Sequence, residues 1–138
     1  MRRRPLLRLA ALSPLLLIAE AHAGTYLNST VLLIASATHD SGYLRARLND
    51  RGLAKLVWAV TSARLDAASR MHVPKEVVQA HPHLLLMLEN YERAADAAAE
   101  GHPERFLIYE ARARNEEVIL RGVLKQLGFP LPTPGKQG

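Results

Sequence analysis

The histidines have the clearest capacity for chemistry in this sequence, because imidazole binds metals and exchanges protons near neutral pH. His72, His81 and His83 lie close together in the sequence, near prolines. At one end of a helical bundle, three imidazoles could hold zinc, copper or nickel. His-Pro-His is not a usual ligand spacing, however, since two ligands on one helix normally lie four residues apart. A metal site at these three residues is one hypothesis, and helix-end or loop roles are the alternative.

The methionines suggest a second kind of site, a haem held without covalent attachment between a methionine and a histidine. Met71 or Met87 would supply one axial ligand, and His72, His83 or His102 the other. A methionine on an apolar helix face is usually ordinary core, which is the alternative. The Glu-x-x-His pattern of di-iron bundles does not occur in the sequence.

Glu116 is a candidate functional carboxylate, because it falls where its predicted helix calls for an apolar residue. A carboxylate buried there could serve an enzyme as an acid or base. Alternatively, Glu116 lies at the edge of the apolar stripe and pairs with Arg112, since unpaired buried acids are rare. The sequence contains no Gly-x-Ser-x-Gly, phosphate-binding loop or His-Glu-x-x-His motif, so no known catalytic pattern supports an enzyme.

A predicted pair of antiparallel helices between His81 and Leu127 positions most of these residues. Pro82 and Pro103 suit the first turn of a helix, and Gly101 suits the left-handed position just past a helix end. The apolar stripe of the outgoing helix comprises Leu84, Leu88, Tyr91, Ala95 and Ala98. That of the returning helix comprises Phe106, Tyr109, Ala113, Leu120, Val123 and Leu127. The spacing of three and four residues predicts that both stripes are buried.

The outer face of the returning helix carries two acid-before-base pairs four residues apart, Glu110 with Arg114 and Glu117 with Arg121. This spacing favours exposed ion pairs on a solvated face.

The whole chain predicts an all-α, up-and-down four-helix bundle, with helices near 26–50, 52–71, 75–100 and 103–127. The segment His39-Asp40-Ser41-Gly42 predicts a break in the first helix. The buried face predicted for the second helix is Leu53, Leu56, Val57, Val60, Ala67 and Met71. The bundle domain spans residues 24–128. Residues 129–138, rich in proline and glycine, predict an extended or disordered tail.

Residues 1–23 predict a cleaved signal peptide. They combine an arginine-rich start, an apolar run from Leu9 to Ala19 and the small-x-small site Ala21-His22-Ala23. Such a run is too short for a permanent membrane span, which leaves a retained anchor as the less favoured alternative. Arg3-Arg4 also fits a twin-arginine export signal, although ordinary secretion uses similar arginines.

Charge and composition narrow the function classes. The chain has 18 basic and 13 acidic residues, a net charge of +5. Residues 1–23 hold four arginines and Glu20, so the remainder carries 14 basic and 12 acidic residues, interleaved. Nucleic-acid binding is therefore not predicted. There is no cysteine, which excludes disulfides and thiolate sites. Abundant arginine, alanine and leucine suggest a bacterial protein exported to the periplasm or the exterior.

The leading functional hypothesis is an exported binding or interaction protein without catalytic activity. Its ligand would be a protein partner or an apolar small molecule, held in a groove or on a surface that includes Tyr43, Trp58 and the proline-rich tail. No resident cofactor is predicted. The alternatives are the metal- or haem-binding bundle and a small exported enzyme using Glu116. A short bundle can also complete its core with a second copy, as a homodimer.

Overall fold

The computed structural model describes residues 4–132, with side chains described from residue 23 onwards. Residues 4–132 contain four α-helices: α1 (Arg4–Arg45), α2 (Arg51–Ser69), α3 (His81–Ala99) and α4 (Pro103–Gln126). A short 3-10 helix, Lys75–Val77, lies between α2 and α3. No strand occurs among residues 4–132, so the all-α class is confirmed and the architecture is consistent with a four-helix bundle.

Helix α1 runs without interruption through residues 39–42, so the predicted break is wrong. Asp40 and Ser41 commonly disrupt helices by hydrogen-bonding to nearby backbone groups. Here their side chains contact other helices instead. Asp40 accepts a hydrogen bond from Arg64 of α2 at 2.6 Å, and the Ser41 hydroxyl donates to Glu110 of α4 at 2.7 Å. The helix ends at Arg45, not at residue 50.

Helix α3 is the centre of the bundle, because it packs against both α2 and α4. Its predicted stripe is confirmed: every member is buried, from Leu84 to Ala98. Near Gly101, the small side chains of Ala94, Ala95 and Ala98 leave room for Phe106 of α4, which is fully buried. Gly101 itself has a φ of 84°, as its predicted turn position requires.

The predicted face of α2 is only partly buried: Val57 is buried, and Leu53 and Met71 pack against the core half-buried. The buried residues of α2 are Ala54, Val57, Thr61 and Ala68, whereas Leu56 is 61% exposed. Small residues on the inner face allow α2 and α3 to approach closely. The Thr61 hydroxyl is satisfied by the Val57 carbonyl at 2.7 Å, so it does not oppose burial.

The predicted stripe of α4 is confirmed in part: Phe106, Ala113 and Leu120 are buried, and Tyr109, Val123 and Leu127 are partly buried against the core. The buried face extends further than predicted, however, and includes Glu110, which was expected to be solvated. Both predicted acid–base pairs form, Glu110 with Arg114 at 3.5 Å and Glu117 with Arg121 at 2.9 Å. They are not on a solvated face, however, because Glu117 and Arg121 are also mostly buried. Beyond α4, residues 129–132 fold back onto the bundle. Leu131 joins the core, and the Pro132 carbonyl accepts a hydrogen bond from Arg121. The predicted disorder of residues 133–138 lies outside the described residues.

The predicted signal peptide stays a prediction, because the side chains of residues 1–22 are not described. Its expected cleavage position, after Ala23, lies within α1, and Ala23 is buried. Among the described residues, no helix has the length and apolar character needed to cross a membrane.

Candidate functional site

An open pocket between α2 and α3 is the strongest candidate site. It has a volume of about 400 Å³ and is lined by two sets of three residues. Helix α2 contributes Lys55, Trp58 and Ala59, and α3 contributes Asp96, Ala99 and Glu100. Each set has the spacing i, i+3, i+4, which places its members on one side of its helix. Trp58 is 42% exposed and lines the pocket together with Ala59 and Ala99.

Two contacts at the start of α2 hold α2 and α3 together at one end of the pocket. Asp50 caps the start of α2, its carboxylate accepting a hydrogen bond from the Leu53 amide at 2.9 Å. One residue later, the Arg51 side chain donates to the Ala99 carbonyl at 3.1 Å. This bond joins the start of α2 to the last turn of α3, whose carbonyls would otherwise lack partners. The pocket therefore lies between two helices tied together at one end.

The rim of the pocket carries separated charges. Lys55 lies on the α2 side, and Asp96 and Glu100 lie on the α3 side. None of these three forms an ion pair within the described part of the chain. The last turn of α3 also contains no basic residue to offset the negative end of its helix dipole. Unpaired charges of both signs thus line the pocket together with Trp58 and two alanines.

Tyr43, the other aromatic residue predicted for an interaction surface, is exposed on α1 but does not line this pocket. Its ring lies 3.6 Å from the guanidinium carbon of Arg47, a cation–π contact between α1 and the turn that follows it. The sequence identified both aromatics as candidates for an interaction surface; both are exposed, and Trp58 lines this pocket.

His81, predicted as a metal ligand, instead connects three helices. The Tyr26 hydroxyl of α1 lies 2.9 Å from Nδ1 of His81, and the ring also hydrogen-bonds to the Ala68 backbone of α2. Burial lowers the pKa of His81 and raises the pKa of Tyr26 to about 12. Tyr26 therefore stays protonated, and its hydroxyl donates a hydrogen bond to Nδ1 of a neutral imidazole.

His83 and Glu116 form a pair across α3 and α4, with Nδ1 and Oε2 3.0 Å apart. The predicted partner of Glu116 is therefore wrong, since Arg112 lies over the Tyr109 ring instead. Glu116 does lie at the edge of the buried face, partly exposed. A histidine–carboxylate pair can move a proton or join two helices, and the geometry here allows either.

The three predicted metal ligands do not meet. His81 and His83 contact different partners and His72 is exposed; among the described residues, no three metal-binding side chains form a cluster. Of the predicted haem ligands, Met87 is fully buried and Met71 packs against the core, while His102 is exposed in the turn between α3 and α4. His39, expected at a helix junction, lies inside α1.

The sequence interpretation missed a buried polar cluster around Glu110, which is 2% exposed. Its carboxylate accepts hydrogen bonds from the Ser41 hydroxyl at 2.7 Å and from the Arg45 guanidinium. Arg114 approaches the same carboxylate at 3.5 Å. One signal was available in the sequence: Glu110 follows Phe106 by four residues and precedes Ala113 by three, so it shares their buried face.

Comparisons with known proteins give no further guide to the site. No protein-family profile matches this chain, and no curated protein or solved structure matches it.

Proposed function

We propose that this protein is a non-enzymatic binding module that holds a segment of a protein partner in the pocket between α2 and α3. Trp58 carries this proposal: a large aromatic side chain stays 42% exposed in the lining of a pocket that also contains two alanines. Tryptophan is the residue type most enriched at the energetic centres of protein interfaces. Export to the bacterial periplasm remains a prediction from residues 1–23.

The pocket's size and charges suggest what the segment contains. A volume of about 400 Å³ lies near the lower end of the range for ligand sites, so it suits one apolar side chain with its neighbours. That side chain would pack on Trp58. An acidic group on one side would pair with Lys55, and a basic group on the other would pair with Asp96 or Glu100. We therefore expect a motif in which an apolar residue separates an acidic from a basic residue.

Selection of random displayed peptides against the full chain tests this function. Trp58 is the only tryptophan, so its fluorescence reports on the pocket without a label. Selected peptides should change its emission and should carry the predicted charge pattern.

Ala59→Leu fills the pocket from an exposed position and should weaken binding at least tenfold, by roughly 1.4 kcal/mol. Ala63→Leu makes the same change at another exposed alanine of α2 and is the matched control. Peptides that bind both variants equally, or that leave the Trp58 emission unchanged, would refute the proposal.

The metal- or haem-binding hypothesis and the enzyme hypothesis remain predictions, and no contact among residues 23–132 favours either over the pocket. The enzyme hypothesis can be tested by substituting Glu116. Glu116→Gln preserves the shape of the side chain while removing its charge. It should abolish any activity that uses the carboxylate and should leave the helical content unchanged.

A further inference from the structure

The outer face of α4 is apolar, although the inner face of the same helix already forms core. We define the outer face by six exposed residues: Leu107, Ile108, Ala111, Asn115, Val118 and Ile119. Val118 is 69% exposed, the largest value among the exposed large apolar side chains of the described residues. A surface helix of a soluble bundle normally presents charged residues on this side. Helix α4 instead has two opposite apolar faces.

The four large side chains of the outer face form two rows along the helix, about 100° apart around its axis, with Leu107 and Val118 in one row and Ile108 and Ile119 in the other. Leu107 and Ile108 precede Val118 and Ile119 by eleven residues, which is close to three helical turns. The two groups therefore project in nearly the same direction, about 16 Å apart along the helix. The face is a ridge with four aliphatic tips, and it suits a flat, deformable partner better than a second convex helix.

Basic residues flank the ridge on both sides. Arg105 and Arg112 lie along one side, and Arg114 and Lys125 along the other, all exposed. Three of the four acids of α4 lie in its inner half, in contact with Ser41, His83 or Arg121. The remaining acid, Glu104, lies before the first aliphatic tip. The outer side of α4 thus combines exposed apolar side chains with a net positive charge.

We propose that the outer face of α4 binds the surface of an anionic phospholipid bilayer. Apolar side chains of an amphipathic helix enter the boundary between headgroups and acyl chains, and arginine and lysine extend to the phosphates. A second copy of the chain is a poorer occupant, because pairing two such faces would bring their basic flanks together. This surface is separate from the pocket beside Trp58, so the two proposals stand independently.

A label confined to the ridge tests this contact directly. The chain has no cysteine, so one introduced cysteine carries a polarity-sensitive fluorophore at a known position. Asn115→Cys places the label in the middle of the ridge, and Ala63→Cys places it at an exposed position on α2. A label at a defined position is needed because the apolar segment at residues 9–19 of the full chain can itself contact lipid.

Vesicles of equal parts phosphatidylglycerol and phosphatidylcholine should shift the emission of the label at position 115 to shorter wavelength. The label at position 63 should not respond, and pure phosphatidylcholine should give a smaller shift at position 115. Replacing Arg112 and Lys125 together with glutamine should weaken the ridge contact about thirtyfold, in a salt-dependent way.

Three results would overturn the proposal. The label at position 115 could stay silent while the protein sediments with vesicles, which would place the lipid contact elsewhere. Its emission could shift with protein concentration in the absence of vesicles, which would identify a second copy as the occupant. It could respond to an acidic helical peptide and not to vesicles, which would identify a protein partner.

Discussion

Replacing Arg45 of the buried Arg45–Glu110 ion pair should destabilise the protein much more than replacing Glu110. The side chain of Arg45 is 43% exposed, whereas that of Glu110 is 3% exposed. Removing Arg45 leaves a charged carboxylate in the interior without its main cation. Removing the charge of Glu110 leaves an arginine that water can still solvate. The free energy of unfolding should therefore fall much further in Arg45→Gln than in Glu110→Gln.

The structure sets the size of each effect. Breaking a buried pair by removing one partner typically costs about 3–5 kcal/mol. Ser41 and Arg114 still contact the carboxylate, so Arg45→Gln should cost less, about 2–3 kcal/mol. Glu110→Gln can still accept the Ser41 hydrogen bond, and it loses a pair whose arginine is nearly half exposed. Its cost should be about 1 kcal/mol or less. The double variant should resemble Glu110→Gln, because no charge remains stranded.

Urea unfolding at pH 7, followed by Trp58 fluorescence and circular dichroism, measures these differences. Arg93→Gln is the matched control, because Arg93 pairs with Glu89 at 2.7 Å and both side chains are exposed. It should cost about 0–1 kcal/mol. A Glu110→Gln variant as destabilised as Arg45→Gln, or a fully additive double variant, would refute this reasoning.

Three further predictions concern the core and the turns. Burial lowers the pKa of His81 in the folded protein. The contribution of this histidine to stability is therefore full above about pH 6.5, and it is lost as the pH falls through the folded pKa. His81→Gln should consequently reduce the fall in the urea unfolding midpoint between pH 7 and pH 5. Phe106→Ala should cost about 3–5 kcal/mol in urea unfolding, whereas exposed Leu107→Ala should cost no more than about 0.5 kcal/mol. Gly101→Ala should lower the melting temperature, because Gly101 has a φ of 84° and an added Cβ would lie 3.0 Å from the Arg51 guanidinium. Gly42→Ala should raise the melting temperature, because Gly42 lies inside α1 with open space around it.

The structure confirms the sequence prediction where bulky and small apolar residues repeat regularly. The stripe of α3, from Leu84 to Ala98, is buried as its spacing predicts. The buried surface also includes Met87, Ala94 and Ala97, because α3 packs against both α2 and α4. The turn at Gly101 is equally local, since it needs only a glycine followed by Pro103. Both features depend on residues close together in the chain.

The buried face of α2 could not be predicted from the spacing of its apolar residues. Leu56 and Val60 are more hydrophobic than Ala54 and Thr61, and ranking by hydrophobicity places them in the core. The close approach of α3 instead selects small side chains for the contact, and that approach is a tertiary property. The same limit applies to the pocket: Trp58 could be identified as a candidate, but its facing residues Asp96 and Glu100 depend on the register between two helices.

The buried polar cluster around Glu110 could not be predicted for a similar reason. Ser41 and Gly42 suggest a helix break when considered alone, and Glu110 followed by Arg114 suggests a solvated pair. In the folded chain, Ser41 and Glu110 meet across 69 positions of sequence and satisfy each other's hydrogen bonding. Local propensity has no information about such a partner. It could therefore predict the Glu110–Arg114 pair, which forms, but neither the burial of Glu110 nor the continuity of α1.

Site-specific photo-crosslinking in the cells that produce the protein tests the binding function most directly. A photoreactive side chain at position 59 lies at the pocket, and one at position 63 lies on the same helix outside it. We predict one discrete crosslinked partner from position 59 and none from position 63. Equal crosslinking from both positions, or no adduct from either, would contradict the binding function proposed for this pocket.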